Sequence, residues 1–283
     1  MSKKKRRDIP RFGQPIIETH CHLDYLEADE LVETLQQSSQ VGVDRFITIA
    51  VSESNQDQVI ALADAHAAVY CTQGVHPHDA SHFCDRVEQQ VREGCEHPKV
   101  VAVGEIGLDY FYENASVQTQ WACFEAQLTI AAETRKPVVI HTREAESDTQ
   151  AILSNYRSAT RSPGVLHSFS SAIELAEFAL SKNWYLGFNG MVTFKNAEQV
   201  RRAVVATPLD RILLETDSPY LTPEPYRGRK NRPYYLPFIA EKIAELKEVS
   251  VQELLAQCHA NSEELFFSTP DTKTTAAQKE APS

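Results

Sequence analysis

The sequence is poor in several features that would have placed it quickly. Its 283 residues include only six cysteines (Cys21, Cys71, Cys84, Cys95, Cys123 and Cys258), and no two form a C-x-x-C pair. That spacing argues against both a disulfide scaffold and a zinc site built from thiolates. No apolar run approaches the ~20 residues a bilayer-spanning helix needs. The five basic residues Lys3, Lys4, Lys5, Arg6 and Arg7 are followed by no apolar segment, so a secretory signal is not expected and the cytoplasm is the expected compartment. Internal repeats, a G-x-G-x-x-G turn and a Walker-type phosphate loop are all missing, which removes solenoids and the common nucleotide-binding folds.

What is present is an ordinary globular composition, 42% hydrophobic and 24% charged, with a formal net charge of −11. The charge is unevenly spread. Residues 1–13 carry net +5 and residues 225–235 net +4 (Arg227, Arg229, Lys230 and Arg232), leaving −20 on the remainder. An acidic body with one basic loop suits either local binding of a polyanion or metal held by clustered carboxylates. Residues 1–13 and 268–283 lack apolar periodicity and read as disordered tails around a single domain, 14–267. That span is about the size of one TIM barrel, for which ~250 residues is typical.

Within it, short Val/Ile/Leu-rich runs alternate with helical patterns. Strands are predicted over 15–19, 45–51, 69–74, 100–104, 137–141, 164–168, 184–188 and 211–215, their near-continuous apolar character suiting parallel strands buried on both faces. Between them apolar residues recur at helical spacing, as in Phe124, Leu128, Ala131 and Ala132. Ser250 and Glu253 have the spacing of a capping box opening a last helix over 251–266. Eight strands alternating with helices predict a (β/α)8 TIM barrel, with an open doubly wound sheet as the alternative.

Six of the ten histidines fall at or just after predicted strand ends: His20 and His22, His76 and His78, His141, and His167. Glu105 and Asp109 follow the fourth strand, and Glu215 and Asp217 close the eighth. The carboxyl ends of barrel strands open on one face, so these residues should converge. His-x-His places two imidazoles on one side of a strand and turns Cys21 the other way, as a buried thiol. His20, His22, Glu105, His141, His167 and Asp217 thus form a candidate mixed nitrogen and oxygen site for a hydrolytic metal, Zn²⁺, Mn²⁺ or Mg²⁺. Six ligands exceed what one tetrahedral ion needs, which implies two divalent ions sharing a bridging carboxylate. The bland alternative, histidines merely paired with carboxylates, applies to any one position better than to six. His76 is expected to touch substrate and His78 to play a supporting part.

THCHLD, GVHPH, VGEIGLDY, KPVVIHTRE, LLETDSPYL and PYRGRKNRP, in this order, resemble the TatD family of metal-dependent deoxyribonucleases, over about residues 16–267. The resemblance implies a metallo-dependent hydrolase barrel and a Mg²⁺-stimulated 3′→5′ exonuclease on DNA and sometimes RNA. It implies one ion on His20, His22, Glu105 and Asp217, and a second on His141 and His167 with Glu105 as bridge. Two departures stand out: Glu18 replaces an aspartate before the first histidine, and Arg232 replaces an acid in the basic loop, which adds positive charge there. In a phosphodiesterase mechanism Asp217 would take a proton from the attacking water and Glu105 would bridge the ions, with single-stranded DNA as the expected partner. Arg143 would hold a phosphate, with a surface ion pair to Glu144 or Glu146 as the alternative. Tyr226, Arg227 and Arg229 would bind the strand by stacking and charge, unless the loop's tyrosines only pack on the barrel rim. The same ligands also suit amide, lactone or ester hydrolysis, including deacylation of aminoacyl-tRNA, and a non-catalytic metal-binding scaffold is the third reading.

Overall fold

The computed structural model describes residues 6–112 and 114–268. Eight parallel strands pair in sequential order: β1 (Ile16–Cys21), β2 (Val43–Thr48), β3 (Val69–Gln73), β4 (Val100–Asp109), β5 (Val138–Arg143), β6 (Gly164–Leu166), β7 (Tyr185–Phe188) and β8 (Ile212–Leu214). The ring closes between its ends, where Asp217 N–H donates to His20 O (2.9 Å) and His22 N–H to Ser218 O (2.9 Å). Helices α1 (Ala28–Gln40), α2 (Gln56–Ala65), α3 (Asp85–Gly94), α4 (Val117–Thr134), α5 (Glu146–Asn155), α6 (Ile173–Ser181), α7 (Glu198–Ala206), α8 (Leu236–Lys247) and α9 (Val251–Ser262) follow the strands. This is the (β/α)8 barrel the alternation predicts, and no described helix is long and apolar enough to cross a membrane.

Local signals set several boundaries. Ser116 Oγ accepts the Thr119 N–H (3.1 Å) at the start of α4, and Ser250 Oγ accepts the Glu253 N–H (3.1 Å) at the start of α9. The last helix ends in a π-helical turn (Glu263–Phe267) that lays Leu265 and Phe266 under the barrel, against Ile47, Ile49, Val101, Val139, Val165, Tyr185 and Leu213. Arg45 holds that plug, bonding Glu263 and His259 and lying over the Phe267 ring.

Three expectations change. First, β4 runs five residues beyond the predicted strand. The GEIGLD segment contains two glycines and two acids, so its sequence looks like a loop. After a register shift it continues to pair with β5, matching Gly107 to His141 and Asp109 to Arg143. Gly107 makes this possible: its φ is +141°, and a Cβ there would lie 2.0 Å from His141 O. Second, the expected 1–13 tail is too long. Residues 6–13 pack on the barrel, with Ile9 and Phe12 against the core and Arg7 paired with Glu241 of α8. A charged, aperiodic segment can still dock when its few apolar residues meet an existing surface. Residues 1–5 and 269–283, which include nearly all of the second expected tail, lie outside the described residues. Third, Arg232 adds no charge to the loop surface. It is buried, bonded to Asn231 O (2.9 Å) and paired with Glu30 (3.3 Å).

Candidate metal centre

Five of the six predicted donors, His22, Glu105, His141, His167 and Asp217, line one cavity of about 660 Å³ at the carboxyl face, and the sixth, His20, lies fully buried against Glu105 and Asp217. Glu105 is the hub. Its carboxylate lies 3.4 Å from His20 Nε2, 3.5 Å from His76 Nε2, 3.0 Å from His141 Nδ1 and 2.8 Å from His167 Nε2. Asp217 Oδ1 sits 3.5 Å from His22 Nε2 and 3.8 Å from His20 Nε2. Among the described residues, three groups bring potential ligand atoms within 4.8 Å of one another: His20, His22 and Asp217; His20, Glu105 and His167; and His76, Glu105 and His141.

His-x-His works as expected at β1. His20 and His22 both turn toward Asp217, while Cys21 turns the other way and is wholly buried with its thiol on Ile47 O (3.5 Å). Burial pushes that thiol far above the ordinary range, so it is inert. Asp217 adopts a left-handed backbone (φ +55°), a conformation Asp tolerates better than most residues, and this turns its carboxylate back over β1.

Supporting residues fix the imidazoles. Asp109 Oδ2 takes His141 Nε2 (2.9 Å) and His78 Nε2 (3.1 Å), leaving His141 Nδ1 for Glu105. Its other oxygen accepts the Phe111 and Tyr112 N–H groups, both at 3.0 Å. Glu215 lies 3.6 Å from His167 Nδ1 and accepts the Ser168 N–H (2.6 Å). Glu18 is buried and accepts from His20 N–H (3.1 Å) and Thr216 N–H (2.9 Å), tying β1 to the residues after β8. Burial pushes its carboxyl up to about 8, which favours its neutral form.

The electrostatics follow from burial opposed by close charge. Burial alone would raise the Glu105 carboxyl, but His167, His76 and His141 hold it well below the usual range. Asp217 is held low in the same way by His22, His20 and His167, and Asp109 by His141 and His78. Burial opposes charge on His167, yet Glu105 and Glu215 raise it well above the normal value. His20, stacked on His167 at 3.8 Å, and His76 are lowered, chiefly by burial.

The donors fit a divalent cation. Both His20 ring nitrogens and Nδ1 of His22 are buried without a hydrogen-bond partner, an expensive condition for groups with no other role. Around His20 the donor separations of 3.4–3.8 Å match the ~3.4 Å edge of a tetrahedron with ~2.1 Å metal bonds.

The remaining predicted residues divide. His76, expected to touch substrate, stands in the donor ring beside Glu105. Its Nδ1 accepts the His78 N–H (3.1 Å), which aims Nε2 inward. Arg143 lines the cavity, stacked over Phe111 (3.7 Å) and Tyr112 (5.0 Å), and no described carboxylate pairs with it. Tyr226, Arg227 and Arg229 do not line the cavity. Tyr226 packs on Tyr235 (4.6 Å) and Phe238 (5.5 Å), so its ring is not available for stacking a base, and Arg227 lies over Phe194 (3.7 Å). The exposed rings at the cavity are instead Tyr25, Tyr112 and Tyr220. Sequence reading missed Tyr25 and Tyr112 and counted Tyr220 only among the loop's tyrosines; the available signal was their position just after β1, β4 and β8.

Residues 17–267 match the family model described as TatD related DNase. The chain is 34% identical to the metal-dependent hydrolase YabD of Bacillus subtilis, over 89% of this chain and 98% of that one. It is 34% identical to the 3′-5′ ssDNA/RNA exonuclease TatD of Erwinia amylovora, over 83% and 92% of the two chains. The crystal structure of YjjV, a TatD homologue of Escherichia coli K12, superimposes with a TM-score of 0.84 at 29% identity, covering 90% and 98%. Barrel, donor ring and relatives agree: the chain belongs to the TatD family of metal-dependent hydrolases.

Proposed function

We propose that this hydrolase is a two-metal phosphodiesterase that removes nucleotides from the 3′ end of single-stranded DNA, and of RNA. The observation that carries the reading is the candidate donor cluster at a cavity that also presents the Arg143 guanidinium, paired with no described carboxylate, and three exposed aromatic rings. The relative from Erwinia amylovora, named for that activity, supports the substrate.

His20, His22 and Asp217 would hold one ion and His141 and His167 the other, with Glu105 between them and His76 close enough to join the second. When bound, two divalent ions, Mg²⁺, Mn²⁺ or Zn²⁺, neutralise the phosphoryl oxygens and activate water. The protein's own groups do the rest. Asp217 is ionised at neutral pH and turned over the cavity, so it can accept the proton of the attacking water. Arg143 presents its planar fork edge-on, since Phe111 occupies one face, and so grips a phosphate bidentately. Tyr25, stacked on His22 (5.0 Å), and Tyr220 offer faces to bases without reading sequence.

The test is a metal-dependent screen with end-labelled single-stranded DNA, RNA and aminoacyl-tRNA side by side. Mononucleotide release from the 3′ end, lost with chelator and in Asp217→Asn, is expected. Metal-dependent release of amino acid with no nucleotide product would overturn the reading in favour of deacylation.

A further inference from the structure

Two basic stretches far apart in sequence meet on this acidic protein. Arg6 Nε donates to Pro225 O (2.9 Å), its Nη2 reaches Arg227 O (3.5 Å), and its guanidinium lies over the Tyr226 ring (5.6 Å). Tyr226 Oη donates to Arg7 O (3.0 Å), and Arg229 lies 5.7 Å from the centroid of the same ring. Arg7 is neutralised by Glu241 and serves as the anchor. Arg6, Arg227, Arg229 and Lys230 are exposed, and no described carboxylate pairs with any of them. The acids nearest in sequence, Asp8 and Glu224, are exposed and make no ion pair with these cations.

Holding four cations together on a body of net negative charge costs repulsion, which a polyanion relieves. The segment carrying Arg227, Arg229 and Lys230 starts from the cavity wall, where Tyr220 and Leu221 line it. Arg6 and Arg7 precede residues 17–267, the span matched by the family model.

We infer that Arg6, Arg227, Arg229 and Lys230 form one composite docking surface for the phosphate backbone of a single strand whose end lies in the cavity. The inference rests on the nuclease reading for the strand's direction but not for its binding. Its consequence is length dependence. A long strand touches both cavity and patch, whereas a very short one touches the cavity alone. Each phosphate contact on a single strand contributes ~0.7 to the slope of log affinity against log salt. From 50 to 200 mM salt, that is about 2.6-fold per contact.

The experiment measures binding of fluorescent, cleavage-resistant phosphorothioate (dT)20 and (dT)4 to the metal-loaded full chain across that salt range. Arg6→Ala should weaken (dT)20 binding about 3- to 10-fold at low salt, flatten its salt slope by ~0.7, and leave (dT)4 unaffected. Arg6→Lys, which keeps the charge but not the planar fork on Pro225, should restore the slope. Arg229→Ala should act like Arg6→Ala, and the two together should remove ~1.4 from the slope. An unchanged slope in Arg6→Ala, failure of Arg6→Lys to restore it, or equal losses for both lengths would overturn the inference and leave Arg6 as a brace for the loop. Binding to phosphatidylserine vesicles but not to (dT)20 would also overturn it. If nuclease activity is absent but these binding differences hold, the proposed reaction fails while the docking surface stands.

Discussion

Replacing Glu105 by glutamine tests the centre most directly, because this one side chain touches four imidazoles. The substitution keeps shape and one acceptor but removes the charge that holds His167 protonated and the proposed bridge between two ions. Without metal, deleting one partner of a buried ion pair costs about 3–5 kcal/mol, reduced here to the extent that His167 sheds its proton. With metal the difference is easier to read. An ion present at 100 times its dissociation constant stabilises the native state by about 2.7 kcal/mol. For a domain of this size that corresponds to a rise in Tm of about 5–10 °C. If losing the bridge weakens binding about 100-fold, the same metal concentration yields only about 0.4 kcal/mol, or 1–2 °C. Turnover should fall about 1000-fold, since several kcal/mol of charge stabilisation go with the bridge. The assay is thermal denaturation in chelator and in a Mn²⁺ series, with elemental analysis and turnover on the same samples. His22→Ala, which touches only the His20, His22 and Asp217 group, should retain more metal and more activity. A Glu105→Gln protein that keeps two ions per chain, the full metal-dependent rise in Tm and a near-normal rate would refute the reasoning.

Three further outcomes follow from the geometry. Tyr220→Ala should leave Tm unchanged but raise KM on single-stranded DNA about 5- to 100-fold, the worth of one stacked base, whereas Tyr226→Ala should lower Tm by removing a packed ring. Equal effects in steady-state kinetics and melting would contradict the different places assigned to the two rings. Gly107→Ala should destabilise by more than about 3 kcal/mol and release bound metal, because the new Cβ strikes His141 O; an unaltered melting curve would show that β4 and β5 can separate there without cost. At the barrel floor, the Arg45 contact depresses the Glu263 carboxyl. Its contribution is therefore present above the unfolded value near 4.5 and is lost as pH falls through the lower folded value. Because the pair is partly exposed, Glu263→Gln should cost at most about 1 kcal/mol at pH 7, and the Tm gap to the parent should close in acid.

The candidate donors were legible because metal chemistry restricts such residues to a few types and a parallel barrel restricts them to strand ends. His20 and His22, Glu105, His141, His167 and Asp217 each satisfy both conditions. His76 satisfied them too, but it was expected to touch substrate instead. The direction of its ring is set by the backbone N–H of His78, a contact with no trace in the spelling of GVHPH. Asp109 stood out as a strand-end acid, yet its work of orienting two histidines depends on β4 extending past its glycines.

Alternation of apolar runs and helical spacing thus determined the barrel, and residue type at strand ends determined the candidate donor cluster, because both are local properties of the chain. Tertiary structure alone decided which aromatic rings are exposed and which are packed. Tyr220 and Tyr226 lie six residues apart in one tyrosine-rich loop, and only the position of Tyr235 and Phe238 separates their roles. It also decided that Arg232 is buried while Arg229 is exposed, and that Arg6 lies beside Arg227 although more than 200 residues intervene. Charge and ring shape are written in the sequence, but partners and exposure depend on which distant surfaces the fold brings into contact.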